Sequence, residues 1–150
     1  MQSALDRLPF RWNLWASARL LPLVAKRGSL GKLLELATPD DSQTADYSGM
    51  SHQEILGAVK AVTRRPWRMR GRRCLREGLL GYRFLAMAGY RPILHFGVIP
   101  STMATDRPRA HCWISLDGEV VLNPATEPML ELFSYEGSVP AKMPGMPDFG

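Results

Sequence analysis

Cysteine is scarce in this chain: Cys74 and Cys112 are the only two in 150 residues. That excludes a disulfide-dense secreted scaffold. It also excludes a four-cysteine zinc site, and no CxxC or HxxxH spacing gathers the three histidines into a ligand set. No metal and no cofactor is expected. Long apolar runs are lacking too. Stretches such as residues 93–100 are interrupted by His95 and fall far short of the ~20 residues that cross a bilayer. Arg7, Arg11 and Arg19 break up the apolar segment that a secretory signal needs. The expectation is a protein of the reducing cytoplasm, with two free thiols and no membrane contact. There is no P-loop, GxGxxG or GxSxG, and no internal repeat.

What is present suits one domain. A chain of 16.8 kDa buries roughly 68–70% of its unfolded surface, enough for a single core. Hydrophobic content of 45% with 22% charge excludes disorder as the default. Nineteen basic against 14 acidic residues leave a net charge of +5. Such a balance suits an anionic partner or simple solubility, and does not choose between them.

Residues 3–25 carry apolar positions at helical spacing, but Pro9 and Pro22 predict two short helices rather than one. Residues 30–36 predict another helix, and residues 37–49 a polar loop. Ser51 and Glu54 have the form of a capping box, opening a helix that ends near Arg65-Pro66. The next helix runs from near Cys74 to about Met87, with Leu75, Leu79, Tyr82, Leu85 and Ala86 as its buried stripe. Gly78 and Gly81 each cost about 1 kcal/mol against Ala there, so close packing is their expected role. The pattern then changes to strands at residues 92–99 and 110–116. Asp117-Gly118 is a hairpin signal, and residues 119–122 pair back. The Pro-rich tail from Asn123 is expected to fray. Helices first and strands later predict an α+β fold, a small antiparallel sheet packed on the Cys-bearing helix. Residues 1–50 form an N-terminal helical segment packed on a core of residues 51–150, one domain overall.

Cys74 falls at a loop-to-helix junction among Arg72, Arg73 and Arg76. The partial positive charge of a helix N-terminus and nearby cations favour thiolate, which suits a nucleophile. A small buried hydrophobe at the start of a core helix is the competing reading. His111 lies in a strand that can meet the helix start, so it can form a Cys–His pair. Asn123, just after the hairpin, can offer an amide oxygen to fix the imidazole, as in Cys-His-Asn proteases. Asp117 is the alternative third member, although Asp-Gly is turn chemistry. Trp113 is expected in the core or over the pair. His52 is expected to be exposed. His95 is expected in core or pocket, with no partner in view. Cys112 alternates with His111 along the strand and should point away from it. The seven arginines between 64 and 76 suit a solvated face, a dock for an acidic peptide, or phosphate contacts. Trp67 alone interleaves them, so no nucleic-acid partner is expected.

The ordered set of Cys74-Leu75, Gly89-Tyr90-Arg91-Pro92, Gly97-Val98 and His111-x-Trp113 before an Asp-Gly hairpin resembles the transglutaminase-like cysteine peptidases of lasso-peptide biosynthesis. The likeness is to the stand-alone peptidase form of the family's B protein, over roughly residues 64–124. It implies a papain-like core that removes the leader from a ribosomal precursor peptide. It implies Cys74 as nucleophile and His111 as general base and acid. Arg72 and Arg73, by their charge, and Trp113, by its place beside the pair, are expected near the substrate. The family has Asp where Asn123 stands, and Ala where Cys112 stands. The segment before Ser51 is too short for the family's leader-binding module. The resemblance therefore implies a separate leader-binding protein as partner, and a cyclase that takes the freed peptide. A thioester acyltransferase and a catalytically silent peptide-binding scaffold are the alternatives.

Overall fold

The structure, a computed structural model, describes residues 9–26, 28–40, 46–65 and 72–137. Among these, helices α1 (Phe10–Ala25), α2 (Leu30–Ala37), α3 (His52–Thr63) and α4 (Arg73–Met87) precede the strands. Strands β1 (Ile93–Val98), β2 (Ala110–Leu116), β3 (Glu119–Leu122) and β4 (Leu130–Tyr135) form one antiparallel sheet in the order β3-β2-β1-β4. One sheet face lies on α4, and the other three helices gather around α4. The fold is thus α+β, with the sheet on the Cys-bearing helix. No helix among the described residues is long and apolar enough to cross a membrane. The tail beyond residue 137, and Trp67, Arg68 and Arg70 of the arginine run, lie outside the described residues.

Local chemistry sets the helix starts. Ser29 accepts the Lys32 N–H, and Ser51 accepts the Glu54 N–H at 3.1 Å, each ending an orphan donor of a first turn. Asp117 and Gly118 both have positive φ, at 49° and 83°, as the tight turn between β2 and β3 requires. The glycines of α4 lie where the sheet comes closest. A Cβ on Gly81 would stand 2.9 Å from Ile114 Cδ1 and 3.0 Å from Leu122 Cδ2. Leu85, Leu94, Phe96, Ile114 and Leu122 are fully buried in the core of helix and sheet, and Phe84, equally buried, packs against Phe10 of α1 and Tyr47.

Two expectations are corrected here. Pro22 does not divide the N-terminal helical stretch: residues 10–25 form one helix with Pro22 inside it, and the part of the stretch before Pro9 lies outside the described residues. A proline supplies no N–H to the carbonyl four residues back, here that of Ala18. Arg76 supplies the missing donor: its Nη2 bonds the Ala18 oxygen at 2.9 Å, and its Nη1 bonds the Arg65 oxygen at 2.8 Å. Arg76 therefore belongs to no solvated basic face. It is 2% exposed and ties α4 to α1 and to the end of α3. Second, the chain after Asn123 does not simply fray. Residues 130–135 form β4, pairing with β1 and burying Phe133 and Tyr135. The thiol of Cys112 and the ring of Phe96 alternate inward, leaving His95, His111 and Trp113 on the outer face.

Candidate functional site

Cys74 is the second residue of α4, and no side chain caps that helix start. Its N-terminal N–H groups are therefore not consumed by a cap. The sulfur sits against β2 at Cys112. The Cys112 thiol donates to the Cys74 carbonyl oxygen at 2.8 Å and lies within hydrogen-bonding reach of the Cys74 sulfur. That thiol is the largest influence lowering the Cys74 pKa, opposed by burial. The His111 side chain and the Cys112 N–H add to the lowering, bringing it from 9.0 to about 4. The buried Cys112 moves the other way, well above 9.0, because the facing Cys74 and burial both disfavour its ionisation. At neutral pH Cys74 is a thiolate and Cys112 a thiol.

His111 stands beside Cys74, and that contact raises its pKa above 6.5 despite partial burial. Its Nε2–H donates to the backbone carbonyl of Asn123 at 2.9 Å. Nδ1 is the ring nitrogen left to face the sulfur. The residue expected to orient His111 is therefore beside it, but through a different atom. The Asn123 side chain turns elsewhere, its Nδ2 reaching the Cys74 carbonyl at a long 3.5 Å. Asn123 has φ 53°, a left-handed conformation that asparagine tolerates better than most residues. This turn, just past the end of β3, aims its carbonyl back at the imidazole. Asp117 is occupied by the hairpin turn and takes no part in holding the ring.

Trp113 neither enters the core nor lines the cavity at Cys74. It stacks on His111 at 6.2 Å between centroids and on His95 at 5.3 Å, nearly parallel. Gly97 makes room for it, since a Cβ there would lie 2.9 Å from two carbons of the Trp113 ring. His95, for which no partner was expected, is held between Glu131 on β4 and Ser115 on β2, the latter at 2.7 Å. Ser115 is only 6% exposed and anchors the inner end of this row, which buttresses Trp113 and reaches solvent at Glu131. His52 begins α3 half-buried, edge-on to Tyr90.

A cavity of about 510 Å³ opens at Cys74, lined by Lys60, Arg73, Glu77 and Asn123. Arg73 is exposed and bonds Glu77, one turn along, at 2.9 Å. Glu77 is buried and also accepts from Thr63. Arg72, half-buried, immediately precedes α4. A smaller cavity of about 150 Å³ borders His111, together with Ile99, Ala110, Ala125 and Met129. Lys60 and Glu77 carried no motif in the sequence. Only their helical spacing to Thr63 and Arg73 places them here.

A reactive thiolate at a helix start, facing an imidazole on a strand, can attack a carbonyl and pass a proton to a leaving group. The profile of the family described as the transglutaminase-like superfamily matches residues 8–133. The match begins inside the N-terminal helical segment and ends in β4. No curated protein and no solved structure shows significant similarity to the chain.

Proposed function

Because this chain belongs to the transglutaminase-like superfamily, we propose that it works as a cysteine peptidase. Its substrate, in this reading, is a ribosomally made lasso-peptide precursor, from which it removes the leader. The observation that carries the chemistry is the coupled pair, a Cys74 thiolate beside a His111 whose other nitrogen is fixed by a carbonyl. The substrate class rests on the resemblance of the ordered motifs around Cys74, Tyr90-Arg91-Pro92 and His111 to the lasso-peptide peptidases.

The Cys74 sulfur attacks the scissile carbonyl carbon. The uncapped N–H groups at the start of α4 receive the developing oxyanion. Imidazolium His111 gives its Nδ1 proton to the leaving amine and becomes a base for water, which hydrolyses the thioester. The Asn123 carbonyl keeps Nε2 protonated, so Nδ1 alone shuttles. A neutral carbonyl stabilises the imidazolium less than a carboxylate does, and the ion pair with Cys74 makes up part of that difference. None of these steps requires a cofactor. Arg73 borders the peptide path with Lys60, and Arg72 adjoins it. Trp113 acts on substrate indirectly, by holding His111. A separate leader-binding protein presents the precursor, and a cyclase takes the product, in the cytoplasm. Acyl transfer to an amine uses the same thioester and differs only in the acceptor. The depressed thiol pKa weighs against a silent scaffold.

The test is Cys74→Ala with precursor and leader-binding partner, read by mass spectrometry. The wild-type chain should yield two fragments whose masses sum to the precursor plus one water, and the variant should yield none. Full processing by the variant ends this reading.

A further inference from the structure

The chain's two cysteines, 38 residues apart in sequence, meet at the candidate site. Cys112 occupies the strand position directly after His111, and its sulfur points at the first turn of α4. Gly78 makes this approach possible. A Cβ at Gly78 would lie 2.9 Å from the Cys112 sulfur, so the hollow on α4 is shaped to seat it. The seat is sealed, because Cys112 is 2% exposed and no outside thiol can reach it. Cys74 in contrast lines the open cavity. One accessible, ionised sulfur and one enclosed thiol therefore stand within hydrogen-bonding reach of each other.

We propose that Cys74 and Cys112 form a peroxide-responsive pair, in which oxidation of Cys74 is captured as an intramolecular disulfide to Cys112 and reversed by a dithiol. This regulation rests on the same thiolate that the peptidase reading uses, although its readout does not. The oxidant is hydrogen peroxide. The Cys74 thiolate attacks the outer oxygen, the O–O bond breaks, and the hydroxide that leaves takes a proton from His111 to become water. Cys74 is then a sulfenic acid, oxidised by two electrons, and the peroxide is reduced by two. The Cys112 sulfur next attacks the Cys74 sulfur. An S–S bond of about 2.05 Å forms, the S–OH bond breaks, and the Cys112 proton leaves with that hydroxide as a second water. A dithiol returns the two electrons by exchange. The disulfide removes the nucleophile, so the oxidised chain is inactive but protected from further oxidation.

Reduced wild-type protein and Cys112→Ala should be treated with hydrogen peroxide and analysed by intact mass, peptide mapping and thiol titration in denaturant. The wild-type chain should lose two hydrogens, fall from two titratable thiols to none, and give a peptide joining Cys74 to Cys112. No disulfide should join two chains, and dithiothreitol should restore both thiols. Cys112→Ala should instead gain oxygen atoms on Cys74, increasingly beyond what dithiothreitol removes. Wild-type protein that gains oxygen without the cross-link, resists peroxide altogether, or links two chains overturns the proposal. The wild-type arm stands even if the alanine variant folds poorly. If Cys74→Ala still processes precursor while wild-type protein forms the internal disulfide, the peptidase reading fails and this one holds.

Discussion

The Cys74 thiolate makes a quantitative prediction for alkylation by iodoacetamide. With a pKa of about 4 in place of 9.0, Cys74 is almost wholly ionised at pH 6, where an ordinary thiol is about one part in a thousand thiolate. Nucleophilicity falls with pKa at a slope of about 0.4–0.5, so five units cost roughly two to two and a half decades. The two effects nearly cancel. Cys74 should react only about three to ten times faster than an ordinary thiol at pH 6, and about a hundredfold slower near pH 9 by the same slope. Absolute rate is therefore a poor diagnostic, and the shape of the profile is a good one. The rate should be nearly flat between pH 6 and 8.5, with its rise near pH 4. Cys112 is buried and adds nothing in the native state. Removing the Cys112 thiol by Cys112→Ala deletes the largest lowering influence and should move the rise to higher pH, as should His111→Ala. For cleavage the sign works out on both arms. Activity appears as the thiolate forms on going up through about pH 4. It is lost as the imidazolium deprotonates, at a pH above 6.5 because His111 is raised. The two arms belong to the pair rather than to either residue. A rate in the wild-type chain that climbs tenfold per pH unit from 6 to 8.5 refutes the assignment.

Two further substitutions probe how the site and fold are held. Asn123→Gly keeps the left-handed turn and its carbonyl, so cleavage should stay within a few-fold of wild type. Asn123→Val, strained at φ 53° by more than the 1–2 kcal/mol usual for that region, should lose activity and raise the pH of the alkylation rise. Loss of cleavage in the glycine variant, measured with the same precursor, would return the orienting role to the side-chain amide. Arg76→Met should destabilise by about 2 kcal/mol or more, since it strips donors from the carbonyls of Ala18 and Arg65. Adding Pro22→Ala supplies a new N–H to Ala18, so in urea denaturation the double variant should recover part of that loss. Strict additivity of the two changes would show that Arg76 does not substitute for the missing proline donor.

Much of the fold was legible because local and global preferences agree. The Asp117-Gly118 turn has a short-range cause and stands where the sequence puts it, and of the stripe expected on α4 Leu75, Leu79, Tyr82 and Leu85 are buried while Ala86 is not, in a helix buried on nearly every side. The failures share a different physical origin. Whether Pro22 breaks α1 depends on a guanidinium 58 residues away from Ala18, which no local window contains. Strand β4 was hidden by Pro124 and Pro128 before it and by the proline-rich tail after it. Its alternation is short, and a bulge at Phe96/Gly97 disturbs the pairing register. Losing β4 also hid Glu131, and with it the reason His95 is held where it is.

The candidate site divides along the same line. Cys74 and His111 were legible because thiol and imidazole announce their chemistry, and a helix start is readable from sequence. Strand alternation correctly separates the half-buried His111 from the buried Cys112. It does not follow that they serve different places, because the first turn of α4 lies where the ring and the inward sulfur can both reach Cys74. The third member was the least legible, since a backbone carbonyl belongs to every residue. Its only trace in the sequence is an asparagine at the end of a strand. That recasts the departure from the carboxylate in the resembling family. What position 123 must supply here is a backbone angle, and the side chain is chosen for tolerating it. Asparagine and glycine meet that demand, whereas a carboxylate at 123 would bring charge toward the Cys74 carbonyl, which already accepts from Cys112. The site thus reaches its imidazole orientation by conformation instead of charge, and leaves the ion pair with Cys74 as the main electrostatic support of the protonated ring.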